Sequence, residues 1–156
     1  VGCTLFALQT TDKQIDRFKV IDGIIICKAN EVGQVITVFE SVLSDRDKVG
    51  IDVNDIKRSC GAEKPAKFIQ ARATSIPDSE QVKSAVNHLL NQIPEGLSTQ
   101  YMMLDIESDH KLSLDEFFSI TTVVENRIAD DSEVFYGNRM IDKPDYCWMG
   151  AIYVAD

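Results

Sequence analysis

Apolar residues recur every three to four positions between 31 and 44. Val32, Val35, Ile36, Phe39, Val42 and Leu43 line one face of an amphipathic helix there. A second such face, Val82, Ala85, Val86, Leu89, Leu90 and Ile93, follows Pro77 and is stopped by Pro94 and Gly96. A third runs through Phe117, Thr121, Val124 and Ile128. Between the helical stretches lie β-branched and aromatic runs, "CTLFALQT", "KVIDGIIICKAN", "AKFIQARAT", "QYMMLDI", "SEVFYGNRMID" and "YCWMGAIYVAD", all with the composition of strands. The unbroken Ile24, Ile25, Ile26 suits a strand covered on both faces.

From Lys67 onward the predicted order is β-α-β-α-β-β. Helices of crossover length after each of the first two strands predict right-handed crossovers that lay helices on a sheet. The last two strands, joined by the short turn around "DKPD", are expected to form a hairpin. The predicted fold class is α/β, a mixed sheet with helices packed against it. Its core strands are 67–73, 100–106, 133–141 and 147–154, and its helices 79–93 and 114–128. Trp148 and Met149 alternate faces of the last strand, which places one in the core and the other against a helix.

The chain of 156 residues is long enough for one substantial core. Its 44% apolar and 26% charged content belongs to an ordinary globular protein. No apolar run approaches the ~18 residues of a membrane-spanning helix. A net charge of -9 excludes a broad nucleic-acid surface, which needs clustered Lys and Arg. The four cysteines are scattered without metal-ligand spacing, and with only two histidines they predict reduced thiols in the cytoplasm rather than a metal centre. The first residues, "VGCTLFALQ", run directly into strand-like sequence, as a segment of a longer protein would.

Residues 103 to 118, "MLDIESDHKLSLDEFF", have the spacing of a calcium loop. Oxygen-bearing side chains fall at positions 1, 3, 5, 9 and 12: Asp105, Glu107, Asp109, Ser113 and Glu116. Position 6, which requires glycine for its sharp turn, is His110. The preceding "QYMMLDI" is too short for an incoming helix and reads as a strand. Ser113 and Glu116 instead form the S-x-x-E capping box, with Leu112 and Phe117 as its hydrophobic staple. The stretch is therefore a strand, a polar turn and a capped helix, not a calcium sensor. His110 sits on that turn with no evident partner, and His88 is expected on a solvated helix face.

This stretch, together with "VVENRIADDSEVFYGNRMID" and "CWMGAIYVAD", resembles the carboxy-terminal domain of the FtsZ/tubulin-like GTPase family. The matching pieces are Leu112, Ser113, Leu114 and Glu116, then Ala129 and Asp130, then Val134 to Gly137, then Met140 to Asp142, and finally Ala151 to Ala155. The resemblance covers residues 66–156. More weakly, "GIDVNDIKR", residues 50–58, resembles the family's acidic loop N-x-D-x-x-D, with Asp52 and Asp55 on the two acids and Gly50 in place of Asn. It implies a division of the chain into residues 1–60, the partial or reduced end of a nucleotide domain with its central helix and acidic loop, and a domain over 66–156.

The family's Gly-rich phosphate loop has no counterpart among the chain's eight unclustered glycines, so no turn of stacked N–H groups is available to cradle phosphate. The resemblance thus implies that this chain alone holds no cofactor and is not itself an enzyme. A full-length relative is expected to be a GTPase using GTP and Mg²⁺. The implied partner is a second subunit stacked head to tail, or a nucleotide-binding domain of the same family, with the loop completing the neighbour's GTP site. The implied catalytic residues are Asp55, orienting water, and Asp52, in the polar network around the phosphates. Read locally, Asp52 also caps a short helix starting at Val53, and Asp55 is favourable in its first turn. A different class of function, a non-polymerising α/β interaction or regulatory module of related fold, fits the same sequence.

Overall fold

The computed structural model describes residues 5–11, 22–43, 64–73 and 78–155. Six strands and three α-helices are present among them: β1 (Phe6–Gln9), β2 (Gly23–Ile26), α1 (Val32–Leu43), β3 (Ala66–Ala73), α2 (Asp78–Leu90), β4 (Thr99–Ser108), α3 (Leu114–Glu125), β5 (Glu133–Met140) and β6 (Cys147–Ala155). A short 3₁₀ turn, Ala29–Glu31, leads into α1. The strands form one mixed sheet in the order β1-β2-β3-β6-β4-β5. Strands β1, β2 and β3 run parallel, β6 is antiparallel to both β3 and β4, and β5 is parallel to β4.

Helices cover both faces. Alternation along the central strands sends Met102, Leu104, Ile106, Met149 and Ala151 to one side, where they meet Val82, Val86, Leu89, Ile120 and Val124 of α2 and α3. Tyr101, Met103, Trp148, Ile152 and Val154 point the other way, with Phe68, onto Val35, Val38 and Val42 of α1. Each such aliphatic side chain, fully buried, contributes about 1.5–3 kcal/mol, so both layers hold the sheet. The mixed sheet, its core strands and the three helices are those the periodicity predicts. Trp148 and Met149 are both buried, one in each layer, because both faces of β6 carry a helix.

The expected hairpin between the last two strands does not form. β4 lies between β5 and β6. The burial patterns explain the arrangement: β5 has a single buried position and suits the sheet edge, whereas every residue of β6 but the last is buried and needs a partner on each side. Residues 141–146 carry the chain around the end of β4. The Ile141 amide donates to the Ser108 carbonyl at 2.8 Å, and the Asp109 amide donates to the Tyr146 carbonyl at 2.9 Å. Asp145 turns the chain back at φ 54°, a left-handed conformation that aspartate tolerates better than most residues.

The calcium-like stretch is strand, turn and helix, as its sequence predicts. The Glu116 amide donates to Ser113 Oγ at 3.2 Å, and the Ser113 amide donates to Glu116 Oε2 at 2.8 Å, a complete capping box. Asp105, the loop's would-be first ligand, faces inward from a central strand and is fully buried.

Candidate functional site beneath the central helix

Two acids interrupt the apolar sequence of β4, and the period of two puts both on the face that α1 covers. Asp105 pairs across the sheet with Gly150 of β6 and Gly137 of β5; Glu107 pairs with Trp148 and Arg139. The two glycines leave a trough on either side of Asp105. The Trp148 ring fills the space over Gly150, and Ser41 of α1 descends over Gly137. A methyl group at Gly137 would stand 2.5 Å from Ser41 Oγ and 3.1 Å from the Ser41 backbone carbon, so the helix reaches this depth only over glycine.

Ser41 Oγ donates to Asp105 Oδ1 at 2.5 Å. Asp105 Oδ2 has no hydrogen-bond partner and lies 3.9 Å from an Arg139 terminal nitrogen. That guanidinium donates instead to Glu107 Oε1, and the Tyr146 hydroxyl donates to Glu107 Oε2 at 3.2 Å. Burial is the largest influence on Asp105 and pushes its carboxyl up to about 6. The Ser41 hydrogen bond works against this shift, Glu107 adds to it, and Arg139 opposes it. Burial, then the Glu107 charge, also raises the Tyr146 phenol.

A second tether holds the other end of α1. Glu31 Oε1 accepts the Lys28 amide at 2.9 Å, and its Oε2 accepts Gln70 Nε2 at 2.9 Å. Gln70 Oε1 in turn accepts the indole N–H of Trp148 at 3.0 Å. Polar chains therefore fasten α1 to the sheet at both termini, while Val35, Val38 and Val42 pack between them. These contacts fix the position of α1 on the sheet up to Leu43.

Asp52 and Asp55, the catalytic residues implied by sequence, lie outside the described residues, as does all of 50–58. Among the described residues no group of three His, Cys, Asp or Glu side chains stands together to hold a metal ion. Burial pushes the Cys147 thiol up to about 11, with Asp109 and Glu116 adding to the shift, and burial also raises Cys27. Both are poor nucleophiles. No helix among the described residues is long and apolar enough to cross a membrane. Sequence reasoning missed Ser41, Gly137 and Arg139 as a unit. The signal present was the Asp105–Glu107 alternation inside an apolar strand; the partners needed the register of β5 and the path of α1.

The same arrangement of strands and helices occurs in solved structures. A point mutant of FtsZ from M. jannaschii superposes with a TM-score of 0.63 at 12% identity, over 88% of this chain and 48% of that one. An empty FtsZ dimer from M. jannaschii gives 0.58 at 12% identity, over 88% and 46%. The fold is that of FtsZ. CetZ from Methanosaeta thermophila, a further example, gives 0.51 at 16% identity, over 86% and 43%. The chain thus spans a little under half the length of the FtsZ and CetZ structures it matches. No family model matches the sequence, and no curated relative does. The α/β class and the FtsZ/tubulin-like architecture expected from "LSLDE" and the strands around it are borne out.

Proposed function

We propose that this chain is the carboxy-terminal portion of a tubulin-like, filament-forming GTPase of the cytoplasm, active in cell division. In this reading its segment 50–58 acts on the nucleotide of the next subunit. The observation that supports it best is the FtsZ-like fold combined with an α1 pinned at both ends, running in sequence toward two acids spaced as in the family's loop. A helix so held fixes the point from which the chain sets out toward that segment, and positioning a water molecule requires a carrier that is held in place.

GTP is the substrate, bound by the neighbour. Asp55 accepts a hydrogen bond from the attacking water and aims it, so orientation is its main contribution. Asp52 sits in the polar surroundings of the phosphates. The empty FtsZ dimer among the similar structures supports self-association as the working state, with head-to-tail stacking required for one subunit's loop to reach the other's nucleotide.

Asp55→Ala in the complete protein tests this. Positioning matters in the transition state more than in binding, so GTP turnover falls by about 100-fold while nucleotide affinity stays unchanged. Wild-type turnover by a folded, polymerising Asp55→Ala protein would overturn the reading and leave helix capping as the role of this residue.

A further inference from the structure

The turn between β4 and α3 has the spacing of a cation loop and sets a histidine between two of its carboxylates. His110 occupies the loop's sixth position. Its Nδ1 is 2.7 Å from Asp109 Oδ1, and its Nε2 is 2.8 Å from Glu116 Oε1. Ionised carboxylates only accept hydrogen bonds. A neutral imidazole carries a bare lone pair on one nitrogen, which here would face an oxygen lone pair whichever tautomer formed. The imidazolium ion satisfies both contacts.

We propose that protonated His110 is the built-in cation of this acidic turn, fastening the end of β4 to the first turn of α3 when charged and releasing it when the proton leaves. Glu116 is the hinge of the device. One of its oxygens meets His110 and the other caps the Ser113 amide, so the ring braces the residue that starts the helix. Asp109 is held from the opposite side, by backbone groups of Asp145 and Tyr146 in the connection that wraps β4. The Ser108 hydroxyl closes the turn by donating to the His110 carbonyl at 2.7 Å. The charged and titratable groups around the ring are Asp109 and Glu116 in contact, Lys111 and Asp115 along the turn and helix start, and the Cys147 thiol, which senses both carboxylates from β6.

The shifts agree in direction with the geometry. Asp109, then Glu116, raise His110 above its ordinary 6.5, against an opposing effect of burial. The hydrogen bond to His110 lowers Asp109. Burial pushes Glu116 upward, but the Ser113 amide and then His110 outweigh it, and the carboxyl is lowered. The contribution of the histidine is therefore complete below about pH 6.5 and is lost as pH rises through its raised folded value. Those of the carboxylates are present above about pH 4 and are lost on acidification. The turn is tightest between these limits.

NMR of the ¹⁵N-labelled chain tests the device, since His88 is the only other histidine. The His110 ring should titrate with a midpoint above 6.5, and Asp109→Asn and Glu116→Gln should each move it downward. Glu116→Gln retains an acceptor for the helix cap. Amide protection over 109–116, corrected for the intrinsic pH dependence of exchange, should fall several-fold as the ring titrates and should lose that dependence in His110→Gln. A midpoint at or below 6.5, indifference of the midpoint to both carboxamide variants, or protection that ignores the titration would each overturn the proposal.

Discussion

Asp105→Asn separates the buried charge beneath α1 from its shape. The carboxyl is raised from 3.8 to about 6, and at ~1.36 kcal/mol for each tenfold change in proton affinity this corresponds to about 3 kcal/mol. The folded chain keeps a proton between those values that the unfolded chain has released. Stability therefore declines as pH rises through that window, and the full cost is present by about pH 7. Asparagine cannot ionise, yet its carbonyl oxygen still accepts from Ser41. The difference in unfolding free energy, wild type minus Asp105→Asn, should therefore drop by about 2.4 kcal/mol from pH 4 to pH 8. Groups common to both proteins, His110 included, cancel in that difference. Urea unfolding followed by fluorescence suits the measurement, because Trp148 is the single tryptophan and is buried. Ser41→Ala removes a bond that favours the ionised form and should move the decline to higher pH. A difference that stays flat, or that rises with pH, would refute the account of the buried acid.

Ser113→Ala should cost about 1 kcal/mol through loss of the α3 cap, read as a lower urea midpoint at unchanged slope. Gly137→Ala should cost about 1–3 kcal/mol by overpacking, since the new methyl group meets Ser41, and should weaken amide protection at the end of α1 in hydrogen exchange. Calcium at millimolar concentration should give no saturable heat that depends on Glu116 in titration calorimetry, because Asp105 points into the core and Glu116 is committed to a cap and a histidine.

The helices and four long strands were legible because each carries a period that only one packing satisfies: 3.6 for Val82, Val86 and Leu89, and two for β4. The capping box was legible because it is local, with donor and acceptor three residues apart. The position of β6 was not, since a short connection favours a hairpin and only the complete burial of both faces of "CWMGAIYVA" argues for a central place. The clasp on His110 escaped for a related reason. Asp109 is adjacent in sequence, but Glu116 is six residues away and meets the ring only once the turn and the first turn of α3 have formed. The polar seam beneath α1 joins residues 64 positions apart, Ser41 and Asp105, and no local pattern announces such a bond.

GTP turnover in a mixture tests the central proposal most directly. The sequence carries Asp55 but no cluster of glycines like the family's phosphate loop, so on the proposed reading this chain supplies the acid without a nucleotide of its own. Added to the complete protein bearing Asp55→Ala, it should partly restore turnover as it stacks on the mutant's exposed nucleotide end, and the same chain with Asp55→Ala should restore none. Equal turnover with either chain, under conditions where both bind the mutant, would contradict an acid acting across the subunit boundary.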